Sequence, residues 1–154
     1  MDTFTASARH LLDETIDDIK RSLEGLDAAA LNARPAGGDT NSIAVLVVHA
    51  MTSTRWWLSV AMDQPIPDRD RDREFEAMAE DPAWLAAFLD DMHAQTRGIL
   101  AAAGTLDWSA ILRPDADDPP FPRSFALVHC LAHLREHEGQ ISLTRQVLGR
   151  GSGE

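Results

Sequence analysis

The sequence predicts an all-α protein, a four-helix bundle with long crossover connections. Three observations lead there. Apolar residues recur at three- and four-residue steps along four long segments. No run alternates apolar and polar residues as a half-buried strand would. Stretches rich in Gly and Pro separate the segments.

Phe4, Ala8, Leu11, Leu12, Ile16, Ile19, Leu23 and Leu26 mark the first helix as amphipathic. The stretch NARPAGGDTNS ends it, and Asn41 or Ser42 supplies the N-cap of a second helix reaching Met62. DQPIPDRDRDRE then reads as a solvated loop of mixed charge. Asp81 and Pro82 suit the N-cap and first position of a third helix reaching Ala103. Its inward residues are Trp84, Leu85, Phe88, Leu89, Met92 and Ile99. The link GTLDWSAILRPDADDPPFPR carries four prolines, and the fourth helix spans Ser124 to Leu148, with Gly149 as its stop. A link of ~18 residues reaches roughly 60 Å when extended, against ~35 Å for such helices. The connections from second to third and third to fourth helix are therefore free to cross over the bundle. Residues 1–150 read as one domain and 151–154 as a disordered tail.

A chain of 154 residues is long enough to bury a core without staples. Its net charge of −11 leaves no basic stripe for tracking phosphates, which argues against nucleic acid as a partner. No apolar run reaches the ~18 residues of a membrane span, and the N-terminus lacks the basic start and apolar core of a secretory signal. With Cys130 the only cysteine, no internal disulfide can form, and a reducing cytoplasm is the expected compartment.

The chemistry concentrates in ALVHCLAHLREHEGQISL, residues 126–143, where His129, His133 and His137 are spaced by four. At about 100° per residue these histidines and Gln140 form one row within about 80°. Phe125, Ala132, Leu143 and Val147 flank the row on one side. Cys130, Leu134, Ile141 and Leu148 flank it on the other, and Arg135, Glu138 and Ser142 lie opposite, facing out. The row is thus expected at the centre of the buried arc. On the second helix, His49 shares an inward stripe with Val45, Leu46, Ser53, Trp56 and Val60. Trp56 and Trp57 read as core or as walls of a pocket.

An imidazole buried without partners costs roughly 1–3 kcal/mol. Several inward histidines on neighbouring helices share one explanation in a divalent metal. Two nitrogens at i and i+4 converge on one ion, and a third imidazole from a facing helix leaves a position open. The spacing alone does not say which histidines ligate. His10 and His93 have no such company and read as ordinary structural residues; Cys130 reads as a packed thiol.

His133, Glu136 and His137 also spell the H-x-x-E-H string of inverted zinc peptidases, which need a downstream acid as third ligand. Only Glu138, on the wrong face, and Glu154, in the tail, follow. The peptidase reading therefore fails.

The second-helix string TNSIAVLVVHAMTSTRWWL and the fourth-helix string HCLAHLREHEGQI together resemble the DinB/YfiT-like superfamily of metal-dependent enzymes. Its fourth helix typically reads H-x3-H-x3-H-R-G-Q, and its second helix ends in one histidine. The resemblance implies His49, His133 and His137 as ligands of a divalent zinc, nickel or iron ion, with His129 outside. It also implies a crossed bundle and commonly a homodimer. Characterised members include bacillithiol S-transferases and mycothiol-dependent maleylpyruvate isomerase. The expected function is thus a metal-dependent enzyme acting on a small molecule. It would transfer a low-molecular-weight thiol to an electrophile, or hydrolyse a substrate with metal-activated water. Glu136 and Gln140 are candidates to position the substrate. The alternative is a non-catalytic, metal-stabilised structural or stress-response binding module. Glu138 stands where the family usually has arginine, leaving that arginine's role unfilled. The second helix is also apolar on its far side, at Val47, Met51 and Leu58, which predicts a homodimer interface there.

Overall fold

The four expected helices form, as α1 (Thr3–Leu23), α3 (Ile43–Ala61), α5 (Pro82–Ala102) and α6 (Arg123–Arg150). Two short helices, α2 (Ala28–Asn32) and α4 (Arg71–Phe75), lie in the links. The computed structural model describes residues 3–115, 117 and 119–150; the expected tail, 151–154, lies outside the described residues.

Each start follows from a local signal. Ser42 Oγ accepts from Val45 N at 3.2 Å to cap α3. Asp81 Oδ1 accepts from Trp84 N at 2.7 Å, with Pro82 opening α5. The fourth expected helix ends differently. α6 runs through Gly149, which takes no positive φ, while Leu148 still packs on the core. The third link also holds a two-residue antiparallel pairing absent from the sequence reading, with Ile111 opposite Pro122 and Leu112 opposite Phe121. Two residues are too few for an alternation pattern to register.

Packing closes a ring, in which α6 lies between α1 and α3, and α5 between the same two on the other side. Helices α1 and α3 therefore occupy opposite corners, as do α5 and α6. The diagonal steps are the first and third long connections, whereas the link from α3 to α5, expected to be free to cross, joins neighbours. Leu12, Ile16, Ile19, Met51, Leu58, Leu85, Leu89 and Leu127 are fully buried between the four helices. Each contributes roughly 1.5–3 kcal/mol of apolar burial.

Three sequence expectations are corrected by this packing. Val47, Met51 and Leu58 are fully buried within the chain. Both sides of α3 are covered by its own neighbours, α2, α4, α5 and α6. Those residues are thus unavailable to a second copy. Trp84 is exposed, stacking on Phe88 at the start of α5 rather than entering the core. Finally, an 18-residue window within residues 37–61 reaches a mean hydropathy of 1.2, as apolar as a membrane span by length and composition. Of that window 72% is buried inside the bundle, as suits a core helix.

The first link also fixes the second. Asn32 Nδ2 donates to Ala79 O at 2.8 Å, and its Oδ1 accepts from Ala79 N at 2.9 Å. Arg34 donates to Phe75 O at 3.2 Å, holding α4 from the same side. Asn32→Ala removes both bonds to a buried backbone. We expect a loss of about 1–3 kcal/mol in the urea unfolding free energy, with no change in helix content.

Candidate metal centre

His49 comes from the middle of α3, and His133 and His137 from consecutive turns of α6, the helix packed beside it. Their ligand nitrogens all lie within 4.8 Å of one another. The closest pair is His133 Nε2 and His137 Nε2, 3.2 Å apart. His49 meets both rings edge-on, at centroid distances of 5.3 and 4.9 Å.

The outer nitrogens show how the rings are held. His49 Nδ1 donates to Glu74 Oε2 at 2.8 Å. Glu74 is buried and gripped on both oxygens by Arg69, from Nε at 2.7 Å and Nη2 at 2.8 Å. His137 Nδ1 donates to Gln140 Oε1 at 2.9 Å. With those protons placed outward, the Nε2 atoms of His49 and His137 carry lone pairs. His133 Nδ1 is buried and has no hydrogen-bond partner among the described residues.

The donor set fits a divalent ion. Three neutral imidazoles are a standard zinc face, and each of two has the hydrogen-bond acceptor on its far nitrogen that such ligands use. Tetrahedral zinc with bonds of ~2.0–2.1 Å spaces its ligand nitrogens roughly 3.3 Å apart, close to the His133–His137 separation. Protonation does not compete strongly. Burial pushes the His133 imidazole down to about 4, helped by the neighbouring His137, His49 and His129. Burial likewise lowers His49, against the opposing hydrogen bond to Glu74.

This has a measurable consequence for the metal-free protein. Unfolded, His133 takes a proton below about pH 6.5; folded, it resists until about 4. Its contribution to stability is therefore present above 6.5 and lost as pH falls toward 4. At pH 5 the loss relative to pH 7 is on the order of 1 kcal/mol, on the linkage between proton uptake and folding with solvent screening of this half-buried ring allowed for. Urea midpoints of metal-free protein at the two pH values should show it, and His133→Asn should flatten that slope.

The other sequence candidates are placed as follows. His129 stands one turn away from the cluster, its ring 4.5 Å from Trp57 and stacked on Phe125. Trp57 in turn meets Trp56 edge-on at 5.0 Å, forming an aromatic wall beside the histidines. Gln140 touches the site through His137, and its Nε2 donates to Glu136 Oε1 at 3.4 Å. Glu136 itself is exposed and one step removed. Gln140→Ala frees His137 Nδ1–H, and we expect metal affinity to fall by roughly tenfold in a zinc titration. His93 is satisfied by Asp13 at 2.7 Å between α5 and α1, and His10 is exposed. Buried Cys130 donates to Thr54 O at 3.6 Å; desolvation pushes its thiol up to about 12, an inert packed group.

Two expectations about α6 change. The histidine row is not central to the buried arc; Cys130, Leu134 and Ile141 are buried, whereas Phe125, Leu143 and Val147 are exposed. The row lies at the border, so His133 and His137 are half-buried rather than sealed in the core. The face carrying Arg135, Glu138 and Ser142 is not free surface but a polar seam against α1. Arg135 pairs with Asp18 at 2.6 Å, and Ser22 and Ser142 lie 3.2 Å apart. Glu138 joins Arg135 at 3.7 Å on the side of α6 that faces α1.

Sequence reasoning missed Arg69 and Glu74 by reading their segment as solvated charge. The available signal was chemical: a histidine ligand in a core helix needs an acceptor behind it.

A helical bundle with three convergent imidazoles on one open edge defines a class of protein built around a metal-sized site. The chain belongs to the DinB superfamily, whose family model matches residues 11–141. Among solved structures it is similar to a conserved protein from Enterococcus faecalis, at 20% identity and a TM-score of 0.74. That match covers 96% of this chain and 97% of the other. It is also similar to a mutant of the mycothiol-dependent maleylpyruvate isomerase, at 17% identity and a TM-score of 0.64. There the match covers 90% of this chain but 62% of the other, so the isomerase is the longer chain. At these identities both similarities establish the shared fold. No curated protein matches the chain by sequence.

Proposed function

We propose that the protein is a metal-dependent enzyme that joins a low-molecular-weight thiol to a small electrophile. His49, His133 and His137 hold the ion. The carrying observation is the convergence of their nitrogens within 4.8 Å at the open edge of the bundle. The fold shared with a mycothiol-dependent isomerase supports the thiol as co-substrate.

A zinc, nickel or iron ion held there would stabilise a thiolate near neutral pH. The chain's own residues do the rest. Glu74 keeps the His49 proton on Nδ1, and Arg69 holds Glu74 in place through both carboxylate oxygens. Gln140 fixes His137 in the same sense. Trp57 packs against His129, one turn from the site, with Trp56 behind it. In the transfer, the thiol's S–H bond breaks and its proton passes to solvent. The sulfur pair then forms a bond to the electrophilic carbon, and that carbon's bond to its leaving group breaks. The leaving group departs with its electron pair and takes a proton back from solvent.

Hydrolysis by the same ion is the neighbouring chemistry. A homodimer and a cytoplasmic location complete the reading. The test is thiol consumption by zinc- or nickel-loaded protein, with mycothiol, bacillithiol or cysteine against a panel of alkyl halides and epoxides. Turnover that His49→Ala lowers at least a hundredfold is expected. Turnover equal in that variant would remove the enzyme reading for this chemistry and favour a metal-stabilised module.

A further inference from the structure

A pocket of about 270 Å³ adjoins the histidine cluster and is unused by it. It lies along the groove between the start of α3 and the end of α6. Gln140, the residue bonded to His137, forms part of its wall, so the pocket lies directly beside the cluster. Leu46, one turn before His49 on α3, lines the pocket too. Further out, the wall is Leu143 and Val147, both exposed apolar residues.

The chemistry of the lining is selective. No charged side chain contributes to it, in a chain whose net charge is −11. The remaining groups are amides and hydroxyls. Among the described residues, the Asn41 amide and the Thr144 hydroxyl line the pocket without a hydrogen-bond partner. Both are half-buried. An anionic or zwitterionic ligand would lose its hydration here without a counter-charge. An uncharged body with one or two hydrogen-bonding atoms would exchange water for these partners and bury apolar surface on Leu46, Leu143 and Val147.

We infer that this pocket receives the substrate's uncharged, mainly apolar body while its reacting group reaches the histidine-held ion. The inference rests on the metal reading above and narrows it. The electrophile is an apolar small molecule rather than a sugar phosphate, nucleotide or amino acid.

The probes are two hydroxamic acids, which share one metal-binding group and differ in tail. Zinc-loaded protein is titrated calorimetrically with acetohydroxamic and octanohydroxamic acid, and then repeated with Leu143→Glu and Val147→Glu. Both substituted positions are exposed, and zinc content and light scattering verify each sample. Octanohydroxamic acid should bind at least tenfold more tightly than the acetyl compound, and both variants should erase most of that ratio. Equal affinities in the unmodified protein would overturn the pocket assignment, as would a ratio that survives both variants. A dimer split by Leu143→Glu, with equal affinities beforehand, would assign the face to a second copy. Failure of both hydroxamates to bind protein that retains its zinc would overturn the inference alone, whereas protein that retains no zinc would remove the metal reading and the inference with it.

Discussion

His133→Ala is expected to lower zinc affinity by roughly 70- to 900-fold while leaving the fold intact. The range follows from structural zinc sites, where four ligands share ~10–16 kcal/mol of apparent binding free energy, or about 2.5–4 kcal/mol each. His133 is suited to the test because its Nε2 forms the closest nitrogen pair of the cluster, with His137. It is also the histidine whose outer nitrogen has no partner among the described residues, so truncation removes only the contact to His137 Nε2. In the metal-free state the variant should match or exceed the parent in stability at pH 5, since it no longer carries an imidazole that burial keeps neutral. Competition against a chromophoric chelator measures the affinity, and circular dichroism verifies the fold. An affinity within threefold of the parent would exclude His133 as a ligand.

Glu74→Ala should produce the second large effect, and through two routes. Glu74 is buried, accepts from His49 Nδ1 and neutralises Arg69 through paired hydrogen bonds. Removing it leaves the Arg69 guanidinium without its partner in a largely enclosed place, a change that typically costs about 3–5 kcal/mol. It also frees the His49 ring to rotate and change tautomer, which should lower metal affinity by roughly 10- to 100-fold. Glu74→Gln separates the two. Its amide oxygen can still accept from His49, so metal affinity should recover in part. Its lost charge leaves Arg69 uncompensated, so stability should not. A Glu74→Ala protein with unchanged affinity and unchanged urea midpoint would show that the carboxylate neither orients His49 nor holds Arg69.

These two residues show what the sequence made legible and what it hid. His133 was readable because helical periodicity is regular: a spacing of four puts two imidazoles on adjacent turns of one face wherever the helix sits. Ser42, Asp81 and Pro82 were readable for the same local reason, since caps act within one turn. Glu74 was not readable, because DQPIPDRDRDRE has the composition of a solvated loop. Only the packing of α4 on α3 turns one of its acids inward. The direction in which α6 faces was misjudged by most of a right angle. Its apolar residues wrap far around the helix, and the sequence offers no sign that Phe125, Leu143 and Val147 remain exposed while Arg135 pairs across to Asp18 of α1. The far side of α3 misled in the same way. An all-apolar helix asks to be covered on every side, and here the chain's own short helices and neighbouring long ones cover it.

That revision matters for function. A histidine row at the core's centre would be sealed, whereas a row at its border lies beside the groove along Gln140, Leu143 and Val147.

The central claim is that three imidazoles, from His49, His133 and His137, hold one divalent ion. X-ray absorption at the zinc edge, on protein loaded with one equivalent, tests it directly. The account predicts three imidazole scatterers at about 2.0–2.1 Å and no sulfur. A sulfur at about 2.3 Å, or fewer than two imidazoles per zinc, would contradict it.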